Sequence, residues 1–124
     1  MIKGLGCDVC AISRMQKALE DSRFTDRFFT EYERGYIGAR KNAAQTAAGI
    51  FAAKEAFVKA LGTGFGPLGT RDIGIRHNEK GAPYYETTEK MLSAMAEAGA
   101  IRALLSVSHD GDTAMAVCIL DDGA

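Results

Sequence analysis

Ala43-Ala44-Gln45-Thr46-Ala47-Ala48-Gly49-Ile50-Phe51-Ala52-Ala53-Lys54-Glu55-Ala56-Phe57-Val58-Lys59-Ala60-Leu61 reads as one long helix, stopped by Gly62, and the remaining elements must be arranged around it. Ala47, Ile50, Phe51, Ala53, Phe57, Val58, Ala60 and Leu61 cover nearly its whole circumference, which is the pattern of a buried central helix. Lys54, Glu55 and Lys59 interrupt that pattern. At 100° per residue Glu55 and Lys59 lie about 40° apart, with Ala48 and Ala52 on the same face. Small side chains beside a carboxylate and an ammonium leave room for a ligand, although the same spacing also makes an ordinary i,i+4 ion pair on a solvated edge.

Outward from this helix, residues 2–11 read as a strand with Gly4, Gly6, Asp8 and Cys10 on one face and Lys3, Leu5, Cys7 and Val9 on the other. Ser13 with Gln16 has the spacing of a capping box opening a helix to about residue 21, and Thr25 and Thr30 look like further caps. The second of these, with Glu33, starts a short helix over 30–37. Residues 72–77 and 82–86 predict a hairpin through Asn78-Glu79-Lys80-Gly81. Thr87 or Thr88 opens a helix ended by Gly99, and 103–109 and 113–120 flank the tight-turn pair Asp110-Gly111. The expected fold is α+β, ordered β-ααα-ββ-α-ββ, a mainly antiparallel sheet packed on the long helix.

Composition narrows the function classes. The 124 residues are 47% hydrophobic and 25% charged, as expected of one globular domain spanning 1–124. Lys and Arg number 15 against 16 Asp and Glu, so no global basic field points to nucleic acid or a lipid surface. Residues 1–42 carry 8 basic and 6 acidic side chains, which places any patch for an acidic partner near the N-terminus. The uncharged stretch 42–53 is too short to span a membrane, residues 1–4 lack the apolar core of a signal peptide, and three cysteines is an odd number; a cytoplasmic protein is expected.

Several chemical motifs can be set aside. Gly64-Phe65-Gly66-Pro67-Leu68-Gly69 spells a dinucleotide-binding fingerprint, but a helix precedes it where a strand is required. Cys7 and Cys10 point to opposite sides of a strand, and Ser108 and His109 likewise, so neither a redox pair nor a local triad forms. Asp8 is different. A carboxylate in a glycine-flanked apolar strand needs a partner. It can cap the helix that follows, pair with Lys54 or Lys59, or face Glu55 across a hard divalent cation such as Mg²⁺.

Gly4-Leu5-Gly6-Cys7-Asp8-Val9, the block Phe51 to Gly64, Gly81-Ala82-Pro83-Tyr84 and Ser106-Val107-Ser108-His109 together resemble holo-[acyl-carrier-protein] synthases, the small bacterial 4′-phosphopantetheinyl transferases. The resemblance is collinear over essentially the whole chain. It implies a Mg²⁺-dependent enzyme of fatty acid biosynthesis. Such an enzyme moves phosphopantetheine from coenzyme A to a serine of apo acyl carrier protein and releases adenosine 3′,5′-bisphosphate. It also implies a homotrimer with active sites between subunits. By position, Asp8 and Glu55 would hold the metal, and Glu55 and Lys59 would be the catalytic groups. Lys54, Lys59, Gly62, Thr63, Gly64, Pro83 and His109 would line the coenzyme A site. Arg14, Lys17, Arg23 and Arg27 would meet the acidic carrier protein. Two positions depart from many members of the family: Ile50 replaces an arginine and Val58 a serine. Arg40 and Lys41 are the candidates to restore the charge lost at Ile50.

Overall fold

The computed structural model describes residues 1–124. In chain order the elements are β1 (Ile2–Ala11), α1 (Ile12–Ala18), α2 (Ser22–Phe28), α3 (Glu31–Gly38), α4 (Ala43–Leu61), a 3-10 turn (Thr70–Asp72), β2 (Ile73–His77), β3 (Pro83–Thr87), α5 (Glu89–Glu97), β4 (Arg102–Asp110) and β5 (Thr113–Asp121). The five strands divide into an antiparallel sheet of order β1-β5-β4 and the separate hairpin β2-β3. Helix α4 lies between them and supplies most of the core: Ala47, Ile50, Ala52, Ala53, Ala56 and Phe57 are all buried. No helix is long and apolar enough to cross a membrane.

The central helix runs over the residues its pattern predicts, and Gly62 ends it at a φ of 77°, a left-handed conformation that glycine adopts without steric penalty. Thr30 and Glu33 form the expected capping box. The segment before them differs from expectation. Helix α1 ends at Ala18, and a separate α2 begins after Asp21, whose carboxylate accepts from the Arg23 amide. Four helices therefore precede the hairpin where the sequence suggested three. Thr25 is no cap but sits inside α2, donating its hydroxyl to the Ser22 carbonyl. Ser13 does not cap α1 either. Its amide and hydroxyl both bond to Asp112, and the Ile12 amide donates to the Asp112 carbonyl at 2.7 Å, so the tip of the β4–β5 hairpin satisfies the first turn of α1. The two turn residues of that hairpin are Gly111 and Asp112, one position later than predicted. A positive φ (58°) at Gly111 alone gives the type II′ pattern.

The inner face of β1 is made by glycine. A Cβ at Gly6 would overlap the Ala56 carbonyl oxygen and lie 2.6 Å from the Ala60 nitrogen, and one at Gly4 would overlap the Ala60 carbonyl. Strand backbone thus lies directly on helix backbone, opposite alanines. Ala48 and Ala52, on the same helix, are fully buried. The room they leave is filled by the fold and not by a ligand, contrary to the expectation from spacing.

The other side of α4 is fixed by a buried ion pair. Lys54 Nζ lies 2.8 Å from Glu33 Oε1, both side chains having no exposure, and donates to the carbonyls of Thr70 (2.6 Å) and Ile73 (2.9 Å). The Glu33 carboxylate also accepts the Thr30 and Ile75 amides, and Tyr85 donates its hydroxyl to the Ala53 carbonyl. Burial pushes the Lys54 ammonium toward losing its proton, and the facing Glu33 carboxylate opposes that shift. Each charge is satisfied by partners within the fold, as buried charges require.

Two stability measurements test this architecture. Gly6→Ala is expected to lower unfolding stability by about 1–3 kcal/mol or more, because backbone atoms must move apart. An unchanged denaturant midpoint would contradict the contact. Lys54→Ala is expected to lose about 3–5 kcal/mol, since it strands Glu33, while the double variant Glu33→Leu/Lys54→Met recovers much of the loss. Equal losses in the single and double variants would show that the pair is not coupled.

Candidate active site

Because Gly4 and Gly6 let β1 lie on α4, the next inward residue, Asp8, reaches the helix near its C-terminal end. Lys59 Nζ donates to Asp8 Oδ1 at 2.8 Å, across 51 residues of sequence. Glu55 stands one turn before Lys59 on the same face. Its carboxyl holds its proton more strongly than an ordinary glutamate, first through burial and then through the negative charge of Asp8, with the Lys59 charge acting the other way. Lys59 is shifted in the direction that keeps it charged, chiefly by its hydrogen bond to Asp8. Of the alternatives open for Asp8, the structure shows the pairing with Lys59, and the Asp8 charge also acts on Glu55.

The cluster is a carboxylate pair with one ammonium. No group of three or more His, Cys, Asp and Glu side chains is gathered to hold a metal anywhere in the fold. Two oxygen donors with the remaining positions open suit Mg²⁺, which keeps waters or takes phosphate oxygens, and do not suit a closed zinc or calcium cage. Mutual repulsion between Asp8 and Glu55 is the feature that a divalent cation relieves. The residues present fit that ion.

Lys54 occupies a different place from the one expected of it. Its ammonium is enclosed by Glu33, Thr70 and Ile73 on the far side of α4, so it is not available to line a coenzyme A site. Adjacent residues on a helix point about 100° apart, and this separates the structural Lys54 from the exposed Glu55–Lys59 face. Gly62 and Gly64 both have positive φ, and Thr63 lies between them in the turn after α4. Thr63 lines a groove with Phe65, Leu68 and Ala94.

Pro83 and His109 are brought together in another cleft, of about 190 Å³, whose walls also include Tyr36, Arg40, Ile50 and His77. None of Asp8, Glu55 and Lys59 lines it. Arg14 and Lys17 lie on α1, Arg23 and Arg27 on α2. Arg14 borders one hollow and Arg23 and Arg27 another, with Phe24 in the wall of both. Arg14, Arg23 and Arg27 therefore flank a shared aromatic side chain, and Lys17 borders neither hollow. Tyr36 and His77 were not singled out from sequence. The four-residue spacing of Tyr32, Tyr36 and Arg40 was the available signal, since it stacks side chains along one edge of α3 and its end.

Comparison with known proteins agrees with this layout. The 4′-phosphopantetheinyl transferase superfamily matches residues 4–118. The holo-[acyl-carrier-protein] synthase of Treponema denticola is 41% identical over 98% of this chain and 99% of its own length. The crystal structure of the holo-[acyl-carrier-protein] synthase from Neisseria meningitidis superposes with a TM-score of 0.88 at 32% identity, covering 98% of this chain and 99% of that one. That of a Bacillus anthracis holo-(acyl-carrier-protein) synthase in complex with CoA (3′,5′-ADP) gives 0.82 at 33% identity, covering 99% of both chains. Matched by the family model over residues 4–118 and by full-length relatives in sequence and in fold, the chain belongs to the 4′-phosphopantetheinyl transferase superfamily, among its holo-[acyl-carrier-protein] synthases.

Proposed function

We propose that this chain transfers 4′-phosphopantetheine from coenzyme A to a serine hydroxyl of apo acyl carrier protein, in the cytoplasm and with Mg²⁺ bound by Asp8 and Glu55. The observation that carries the reading is the Asp8–Glu55–Lys59 cluster, two carboxylates and an ammonium on one open face. The serine oxygen forms a bond to the phosphorus that bears pantetheine. The bond from that phosphorus to the bridging oxygen breaks, and adenosine 3′,5′-bisphosphate leaves with the electron pair. The serine proton passes to Glu55 or to solvent.

Phosphoryl transfer asks of a protein mainly alignment and positive charge where negative charge develops. Bound Mg²⁺ would supply Lewis-acid charge neutralisation at the pyrophosphate. Lys59, kept protonated by its position, neutralises phosphate oxygens and the departing group. No nucleophilic triad is needed, since the nucleophile arrives on the partner. The backbone of Gly62, Thr63 and Gly64 adjoins this face and accommodates the arm of coenzyme A. Pro83 and His109 take its nucleotide end.

Those two halves share no lining residue within one chain. Such a division is what a site completed across a subunit boundary produces, and a self-association surface exists: the outer face of β1-β5-β4 exposes Leu5, Val9 and Leu104 beside half-buried Met115, Val117 and Ile119. That contiguous apolar face supports a homotrimer. Arg14, Lys17, Arg23 and Arg27 form the docking surface for the acidic carrier protein. Three free cysteines, two of them buried, suit a reducing cytoplasm.

Incubation with apo acyl carrier protein, coenzyme A and Mg²⁺ is expected to add one phosphopantetheine mass to the carrier, and EDTA to abolish the gain. Asp8→Asn and Glu55→Gln should each reduce turnover by roughly 10²–10³-fold while the fold persists by circular dichroism. Undiminished turnover in either variant would remove the assignment of those carboxylates. Charge reversal at Arg14 is expected to raise KM for the carrier with little change in KM for coenzyme A, more strongly at low salt than at high salt. Equal effects on both substrates would place Arg14 elsewhere.

A further inference from the structure

Helix α1 carries Arg14 and Lys17, and it has no cap of its own. It spans 7 residues, too few to hold a helix in water without outside support, and its N-cap position is Ala11, which offers no side-chain acceptor. The acceptors come instead from the β4–β5 turn. Both oxygens of the Asp112 carboxylate are engaged by Ser13: Oδ1 accepts its amide at 2.8 Å and Oδ2 its hydroxyl at 2.6 Å. The Asp112 carbonyl accepts the Ile12 amide at 2.7 Å. One residue, distant in sequence, fills the role of a helix cap with its backbone and its side chain together.

Arg14 follows Ser13 directly and precedes Met15, which is buried in the core at 3% exposure. Its main chain is therefore fixed on both sides, by Asp112 before it and by the core after it, while its side chain is exposed. Arg14 and Asp112 border the same hollow, with the carboxylate bonded to Ser13 and no ion pair between the two. The guanidinium is thus left for an outside partner. A long cationic side chain on a fraying helix would have to be ordered, backbone included, each time that partner docked. A backbone ordered beforehand removes part of that cost, and the gain appears in binding of the partner.

We propose that Asp112 is a positioning residue for the carrier protein: from the tip of the β4–β5 turn it fixes the first turn of α1 and so holds Arg14 and Lys17 where the acidic partner docks. This rests on the transferase reading and on the docking role that reading gives to α1. In this role Asp112 touches neither substrate, and it acts on carrier binding through the helix.

Steady-state kinetics with apo acyl carrier protein and coenzyme A varied in turn, joined to calorimetry of apo carrier binding, test the assignment. Asp112→Ala is expected to raise KM and Kd for the carrier by about tenfold, the order of effect of a lost helix cap. Its kcat and its KM for coenzyme A should stay within about twofold of wild type, a split that general loosening of the fold would not produce. Asp112→Asn keeps an acceptor for the Ser13 amide and a donor toward its hydroxyl, and should bring KM for the carrier back near the wild-type value. Where Arg14 and Lys17 are both alanine, Asp112→Ala should add little, because the groups it positions are gone. An unchanged KM for the carrier, an equal rise in both KM values, or a full additive effect in the Arg14→Ala/Lys17→Ala background overturns the proposal while leaving the transferase reading intact. A wild-type chain that neither binds nor modifies an apo carrier protein overturns the reading on which it rests. Should Asp112→Ala melt below the assay temperature, Ser13→Ala removes the hydroxyl bond alone. It is expected to raise KM for the carrier by about threefold, and no rise at all would equally overturn the proposal.

Discussion

Backbone lies on backbone where β1 crosses α4, and most of the molecule follows from that contact. Two glycines on the strand and alanines on the helix bring the elements closer than side chains would normally allow. The approach carries the inward register of β1 toward the C-terminal half of α4, and the first inward residue after the glycines is an aspartate. A strand held at ordinary distance by larger side chains would leave Asp8 short of Lys59. The site is thus a product of missing side chains. The chemistry we propose for it rests on Asp8, Glu55 and Lys59, but its assembly rests on Gly4, Gly6, Ala56 and Ala60.

The same helix carries charge on two faces with opposite purposes. Lys54 is turned inward, enclosed with Glu33 and two carbonyls, where it ties α3 and the start of β2 to α4. Glu55 and Lys59 are turned toward β1, where Lys59 meets Asp8 and where we propose that a cation and phosphate bind. One residue of offset, about 100° of rotation, divides the enclosed Lys54 from Glu55 on the face toward β1. A buried pair is weak support for stability when compared with an apolar substitute, but it fixes how neighbouring elements meet, and here it holds the opposite side of the helix that bears the reactive face.

Much of this was legible in the sequence. Periodicity and a terminal glycine gave α4 its limits, the alternation of β1 put Asp8 on the correct face, and Thr30 with Glu33 announced α3. That Asp8 would meet the Glu55–Lys59 face was among the alternatives that spacing left open, and the structure joins Asp8 to Lys59. What periodicity did not reveal was tertiary. The caps proposed at Ser13 and Thr25 failed because Asp112 and Asp21 supplied better acceptors, and the first of these lies 99 residues away. Lys54 looked like a site residue because its neighbours are. Its burial depends on Glu33 and on carbonyls beyond the 62–69 loop, none of which is visible from a helical wheel. Ala48 and Ala52 read as room for a ligand because a wheel cannot show that a strand of another segment fills the space.

The dependence of α1 on Asp112 also sets an order of events. The strand β1 pairs only with β5, and the first turn of α1 is closed by the hairpin that leads into β5. As the chain leaves the ribosome, α4 is available to β1 midway, but the strand that pairs with β1 and the turn that closes α1 are made almost last. Helix α4 and the β2–β3 hairpin, built largely from local contacts, can form earlier. The first turn of α1 and the pairing of β1 in its sheet are completed by the C-terminal segment, which enters between β1 and β4. A chain that ends before β5 therefore lacks both the strand that holds β1 in its sheet and the turn that closes α1.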